Sequence, residues 1–133
     1  MRESMTYLYA HFVWATWDRL PLLIGERKAD AYRCIETECK RLKIDIIAIG
    51  GMEDHVHLLV DYPPTITVSD IAKYVKGASS FVTQCNNTDF FKWQGAYAAF
   101  AVSRRELSIV RNYIENQEQH HQHGTTLREY EII

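Results

Sequence analysis

Aromatic and β-branched residues fill the stretch YLYAHFVWATW, residues 7 to 17, which reads as a first strand. The connection DRLPLLIG follows, with Pro21 and Gly25 as breakers. From about Glu26 to Leu42 the apolar positions Ala31, Ile35, Cys39 and Leu42 recur at helical spacing, with charges between them. IDIIAIGGMEDHVHLLVDY then divides into two strands around a turn at Gly50 and Gly51. Pro63 and Pro64 end the second of these. Thr67 with Asp70 opens a second helix that runs to about Thr83 and buries Ile71, Val75, Ala78 and Val82. QCNNTDFF reads as loop, and AYAAFAVS, residues 96 to 103, as a fourth strand. Ser103 with Glu106 forms an S-x-x-E capping box for a last helix ending near Gly124. The tail TTLREYEII has no decisive pattern.

The order is β-α-β-β-α-β followed by a helix, the split arrangement of α+β ferredoxin-like folds. It implies an antiparallel sheet with two helices on one face. The length, 133 residues, fits one domain over 1–133. Within EDHVHLLVDYPP, alternation sends Val56, Leu58 and Val60 to one face and His55, His57 and Leu59 to the other. The two imidazoles therefore lie on the face that the two helices leave open, and that face needs a cover or a ligand.

Composition narrows the class without naming a function. An apolar fraction of 47% and a charged fraction of 24% are those of a soluble globular chain. No apolar run approaches the roughly 20 residues of a membrane span, and MRESMTYLYAHF lacks a secretory signal, so a cytoplasmic protein is expected. Cys34, Cys39 and Cys85 have no C-x-x-C spacing, which argues against a disulfide framework or a cysteine metal site. Fifteen basic against seventeen acidic residues give a net charge of −2, so nucleic-acid binding would need a local basic surface.

Neutral imidazole is a common metal ligand. Two residues two apart on one strand face lie roughly 7 Å apart at Cα, close enough for both side chains to meet one ion. Histidine at both positions is also compatible with a merely half-exposed strand. In the last helix Tyr113 and Gln117 stand at i and i+4, on the shoulder of a stripe made by Leu107, Val110 and Ile114. The Gln117 carbonyl oxygen is a candidate third ligand. If this helix covers the open face, His55, His57 and Gln117 would hold a divalent cation with the Tyr113 phenol beside it. A metal that polarises a phosphate, next to a nucleophilic hydroxyl, is suited to attack on a phosphodiester.

GMEDHVHLLV, FKWQGAYAAFAVS and YIENQEQHH, in this order, resemble the single-tyrosine HUH transposases, the small TnpA-type enzymes of insertion sequences and their REP-associated relatives. His55-Val56-His57 matches the HUH motif and Tyr113 to Gln117 the Y-x-x-x-Q motif, with the resemblance spanning roughly residues 7 to 130. It implies a ferredoxin-like (RRM-like) fold with the tyrosine on a C-terminal helix. It also implies a DNA transposase acting on hairpin-bearing single-stranded DNA at element ends. The tyrosine cleaves to leave a 5′-phosphotyrosine and a free 3′-hydroxyl, and strands are then rejoined. Bond energy is conserved, so no nucleotide cofactor is needed. Mg²⁺ or Mn²⁺ and a homodimer, often with sites shared between chains, are further implications. Two imidazoles with one amide oxygen are nitrogen-rich for Mg²⁺, and Mn²⁺ is expected to work as well.

Other residues have two readings. Glu53 and Asp54 are acidic turn residues or partners that fix an imidazole tautomer. His120, His121 and His123 suit a helix C-terminus, while His120 shares the Tyr113 side and could reach the phosphate. His11 reads as a satisfied sheet histidine. Arg19, Lys73, Lys76, Arg104 and Arg105 are candidate DNA contacts on what otherwise are solvated faces. Trp14, Trp17 and Trp93 are core or interface residues first and base-stacking residues second. Two other functions stay open: a metal-dependent hydrolase with a water nucleophile, and a catalytically silent RRM-like nucleic-acid-binding module.

Overall fold

The computed structural model describes residues 4–86, 90–124, 127, 130 and 131. Strands β1 (Tyr9–Ala15), β2 (Asp45–Met52), β3 (His55–Asp61) and β4 (Ala98–Val102) form one antiparallel sheet in the order β2-β3-β1-β4. Helix α1 (Gly25–Arg41) follows β1, and α2 (Val68–Asn86) follows β3. Helices α3 (Leu107–Glu115) and α4 (Gln117–His123) follow β4. This is the α+β ferredoxin-like order that the sequence predicts. Among the described residues no helix is long and apolar enough to cross a membrane.

Each face of the sheet has its own apolar core, as strand alternation requires. Phe12, Trp14, Val56, Leu58 and Val60 pack against Ala31, Ile35 and Cys39 of α1 and Ile71 and Val75 of α2. On the opposite face Ala48, Leu59 and Val102 pack under Val110 and Ile114 of α3. The chain thus covers its open face with its own last helices. Trp14 and Trp93 belong to the first core, with Trp93 Nε1 donating to Ser79 Oγ at 3.0 Å, so neither is placed to stack on a base. Trp17 is exposed, with Lys92 Nζ 4.2 Å above its ring. Burial pushes the Cys39 thiol up to about 12, as expected of a core cysteine.

Three expectations are corrected. The hairpin turns at Glu53 and Asp54, and Gly50 and Gly51 lie inside β2. Their role is close packing. Gly50 pairs with His57, and a Cβ on it would stand 2.5 Å from the Ile114 carbonyl oxygen of α3. A Cβ on Gly51 would stand 2.2 Å from His55 O. Second, α2 continues through Gln84, Cys85 and Asn86, three residues into the expected loop. The side chains of Val82 and Cys85 lie outside the described ones. Third, the last helix is broken at Asn116, whose backbone (φ −112°, ψ 27°) separates α3 from α4. Asn116 Nδ2 donates to Asn112 O at 2.7 Å, a local bond that competes with regular helix.

The two capping boxes also part ways. Thr67 Oγ1 accepts from Asp70 N at 3.1 Å, as expected. Ser103 Oγ instead donates to Glu106 Oε1 at 2.9 Å and caps no backbone, so a 3-10 turn, Arg104–Glu106, precedes α3. Gly124 ends α4 in the left-handed conformation, φ +66°, that a glycine allows at low cost.

The contact at Gly50 makes a prediction. Gly50→Ala should force α3 away from β2, lowering stability by about 1–3 kcal/mol, the usual cost of overpacking. Urea unfolding of the variant would show it, and an unchanged midpoint would mean that α3 is not seated as described.

Candidate metal and tyrosine site

The site lies between the β3 side of the sheet and the helices above it. His55 and His57 point to this face from β3, and His11 joins them from β1, opposite Leu59 in the register. From above, α3 supplies Tyr113 and the start of α4 supplies Gln117. All are buried: His55 is 1% exposed, His57 and His11 0%, Gln117 2% and Tyr113 3%. The glycine at position 50 is what lets α3 come so close. The Tyr113 ring lies 5.9 Å from the His57 ring, and both residues belong to the same chain.

His55 Nε2 lies 3.1 Å from Gln117 Oε1, the amide being oriented by Nε2 donating to Tyr113 O at 3.4 Å. On its other side His55 Nδ1 lies 2.7 Å from Asp54 Oδ1, and Arg19 Nε is 3.3 Å from Asp54 Oδ2. The hydrogen bond to His55, with the charges of His55 and Arg19, holds the Asp54 carboxyl below its usual range against its partial burial. Asp54 is positioned by its own turn: Asp54 O accepts from Thr16 N at 2.9 Å, and Glu53 O from Leu23 N at 2.8 Å. Glu53 itself is exposed. Of the two acidic turn residues, only Asp54 therefore reaches an imidazole through its side chain.

Sequence reasoning missed Glu131. Glu131 Oε2 is 2.9 Å from His57 Nε2 and 4.0 Å from His55 Nε2, and Oε1 accepts from the Tyr113 hydroxyl at 3.0 Å. One ligand atom from each of His55, His57 and Glu131 lies within 4.8 Å of the others, a spacing that can hold a metal ion. Glu131 sits in the patternless tail, and nothing in its spacing points to the histidines. Only the tertiary structure brings it there. Burial opposes its ionisation, yet the neighbouring His57 and His55 and the Tyr113 hydroxyl hold it below the usual range. Burial holds His57 below its ordinary value against the pull of Glu131, so its ring is neutral and fit to be a ligand.

The lone pairs show what would fit between these groups. With the Asp54 carboxylate accepting from Nδ1, the His55 tautomer that carries its proton there presents a lone pair at Nε2, facing an amide oxygen that is also an acceptor. His57 Nε2 is buried next to a carboxylate but without the alignment of a hydrogen bond. Acceptors facing acceptors suit a cation. A carboxylate added to two imidazoles and an amide oxygen makes the set harder and more favourable to Mg²⁺ or Mn²⁺ than the sequence suggested.

The Tyr113 hydroxyl also accepts from Leu127 N at 3.0 Å. Burial, with Glu131, raises its pKa, while Leu127 N and Gln117 act in the other direction. His120 stacks on the Tyr113 ring at 4.5 Å, and Tyr130 meets it edge-on at 5.2 Å. His121 Nε2 is 3.0 Å from Gln117 Oε1 and 3.3 Å from Glu131 Oε1, which sets it in the cluster rather than at a solvated helix end. The His123 side chain lies outside the described ones. His11 Nε2 is 2.8 Å from His57 Nδ1. Burial, then the neighbouring His57, push its pKa down to about 3, with Glu131 opposing.

The basic candidates are scattered. Lys76 Nζ donates to the carbonyls of Gln94, Gly95 and Ala96 at 2.7, 3.1 and 3.2 Å, so its charge holds a loop. Arg104 lies 4.1 Å over the Tyr7 ring and Lys73 5.8 Å from the Tyr74 ring. Arg105 is exposed. Arg19 points to the site turn through Asp54.

Paired imidazoles on one face of a ferredoxin-like sheet, under a tyrosine carried by the covering helix, are an arrangement that the tyrosine transposases would explain. Residues 4–117 match the profile of the family "Transposase IS200 like", and the chain belongs to that family. The ISDra2 transposase TnpA of Deinococcus radiodurans is 27% identical over 127 residues, covering 88% of this chain and 91% of that one. The transposase for insertion sequence element IS200 of Salmonella typhimurium is 26% identical over 116 residues, 80% of this chain and 74% of that one. The crystal structure of a candidate transposase from Deinococcus radiodurans R1 superposes with a TM-score of 0.72, at 26% identity over 88% of this chain and 95% of that one. A REP-associated tyrosine transposase bound to a REP hairpin has a TM-score of 0.67 at 17% identity, over 95% of this chain and 76% of that one, and shows the shared fold.

Asp54 makes a prediction here. Asp54→Asn weakens the partner that orients His55 and should lower Mn²⁺ affinity by about 10–100-fold while sparing the fold. Calorimetric titration of the two proteins would check it, and equal affinities would mean that Asp54 serves only the turn.

Proposed function

We propose that this transposase cleaves and rejoins single-stranded DNA with Tyr113 as nucleophile, beside a divalent cation held by His55, His57 and Gln117 with Glu131. The observation that supports it best is the Tyr113 hydroxyl, bonded to the same carboxylate that touches His57 Nε2. A phosphate entering beside that carboxylate would meet the phenol on one side and the ligand imidazoles on the other. The cation, Mg²⁺ or Mn²⁺, would supply Lewis-acid polarisation of a phosphate oxygen.

In cleavage the Tyr113 oxygen forms a bond to phosphorus as the bond to the 3′-oxygen breaks. The phenol loses its proton and the departing 3′-oxygen gains one, leaving a 5′-phosphotyrosine and a 3′-hydroxyl. A different 3′-hydroxyl reverses the step. Because burial and Glu131 both disfavour the phenolate, Glu131 must part from the hydroxyl before attack. Asp54 and His11 orient the two imidazoles, and the helices exclude water that would otherwise hydrolyse the intermediate.

Hairpin DNA as substrate follows the family resemblance and the hairpin carried by the REP-associated neighbour. A single domain over 1–133, a cytoplasmic setting and a homodimer belong to the same reading. In this chain Tyr113 reaches the histidines of its own sheet, so a dimer is not needed to assemble the site. Arg19 and Arg105 are retained as DNA contacts, together with Lys73 and Arg104, whose charges lie over exposed aromatic rings. The test is a denaturing gel of the protein incubated with single-stranded DNA from the flanks of its own gene and Mg²⁺ or Mn²⁺. A covalent protein–DNA adduct is expected. Cleavage without any adduct would favour the hydrolase.

A further inference from the structure

His11 and His57 are both fully buried and face each other across β1 and β3, 46 positions apart. Their nitrogens, His11 Nε2 and His57 Nδ1, are 2.8 Å apart, and the rings stack at 5.1 Å with a tilt of 26°. The other nitrogen of His11, Nδ1, is buried and has no hydrogen-bond partner. Resting on the reading of His57 as a metal ligand, we propose that His11 is a positioning residue whose hydrogen bond with His57 reverses direction when the cation binds.

Two neutral imidazoles sharing one hydrogen bond have two arrangements. In the first, His11 Nε2–H donates to His57 Nδ1. The proton of His57 is then on Nε2, toward Glu131, and no lone pair faces the site. The Nδ1 of His11 is a bare acceptor, the cheaper group to leave unpaired. In the second, His57 Nδ1–H donates to His11 Nε2, and His57 Nε2 offers its lone pair to the site. The proton of His11 must then sit on Nδ1, buried with no acceptor, whereas in the first arrangement the His57 Nε2–H has the Glu131 carboxylate 2.9 Å away; the second is therefore the costlier state. The protein alone therefore prefers the first arrangement and a bound cation requires the second. Coordination withdraws charge from the ring and strengthens Nδ1–H as a donor, so the bond to His11 is strongest when the cation is present.

The two ligands thus differ. His55 faces a carboxylate, which can only accept, so its Nδ1–H is held there and Nε2 is the nitrogen left for the site. His57 faces a group that can donate or accept, so its Nε2 becomes a ligand only on demand. The effect is a site with one preset and one inducible nitrogen, in which His11 touches neither cation nor DNA.

The test uses the full chain without DNA. Imidazole ¹⁵N–¹H correlation spectra of the wild type should show His57 protonated at Nε2 without metal and at Nδ1 when saturated with Mg²⁺ or Zn²⁺. His57 protonated at Nδ1 in both states overturns the proposal. Mn²⁺ titration followed by the resonance of the free ion gives the second arm. His11→Phe keeps a ring but removes the acceptor and should bind Mn²⁺ about 10–100-fold more weakly. His11→Gln puts an amide, able to donate or accept, near the Nε2 position and should recover most of that affinity. Should His11→Phe fail to fold, the spectra of the wild type decide alone. Mn²⁺ binding that is lost in His57→Gln but unchanged in folded His11→Phe overturns the role of His11 and leaves the metal reading in place. If His57→Gln binds Mn²⁺ as the wild type does, the metal reading itself fails.

Discussion

Tyr113→Phe should abolish both the covalent adduct and DNA cleavage, with activity falling by several orders of magnitude to the uncatalysed level. The substitution keeps the ring that packs on His57, His120 and Tyr130 and deletes only the attacking oxygen. It also removes the bonds from Leu127 N and to Glu131, so stability should fall by about 1–2 kcal/mol. Metal binding and hairpin binding should persist, because neither uses the hydroxyl. A denaturing gel and a filter-binding assay on the same preparation separate these properties. Continued cleavage by the variant would assign the attack to water or another residue. The control must be chosen with the geometry in view. Tyr97 is exposed and suits it, whereas Tyr130 touches both Tyr113 and His11.

His57→Gln is expected to cost nearly as much activity, since it takes one of two imidazoles from the cluster. Mn²⁺ binding should drop below measurable affinity, and chelation of the wild type should reproduce the loss reversibly. The sheet face that carries both histidines is buried by α3 and α4, so alanine at either position leaves a void and should cost about 1–3 kcal/mol. Glutamine keeps most of the volume and isolates the chemistry. A His57→Gln protein that folds and still shows metal-dependent cleavage would exclude the ligand set proposed here.

The basic surface is a different matter. A net charge of −2 leaves nucleic-acid affinity to local placement, and Lys76 is engaged with three loop carbonyls. Arg19 is paired with the carboxylate that orients His55, so a DNA phosphate drawing Arg19 away would act on the site turn as well. Neither engagement was visible in the sequence, where both residues read as candidate DNA contacts on solvated faces.

Much of the scaffold was legible in the chain because strands and helices are set by periodicity. The alternation of Val56, Leu58 and Val60 with His55, His57 and Leu59 determined by itself which face each would take, and the pairing of Tyr113 with Gln117 followed from one helical turn. The capping signal at Thr67 was local and held. The signals that misled were equally local: Gly50-Gly51 looks like a turn, and here Gly50 serves the contact between β2 and α3 while Gly51, at φ +155°, lies against the His55 backbone of β3. Asn116 is only a weak breaker in the sequence, yet α3 gives way to α4 there, and Gln117 reaches His55 from the start of α4. What only the tertiary structure decided are relations between distant segments. Glu131 reaches His57, His11 meets His57 across two strands, and His121 joins Gln117, none of which is encoded by spacing along one element. Such contacts depend on where a tail and neighbouring strands come to rest in space. The physical reason is that period fixes orientation within an element, while the close approach of one element to another is set by packing, here by the missing side chain at Gly50.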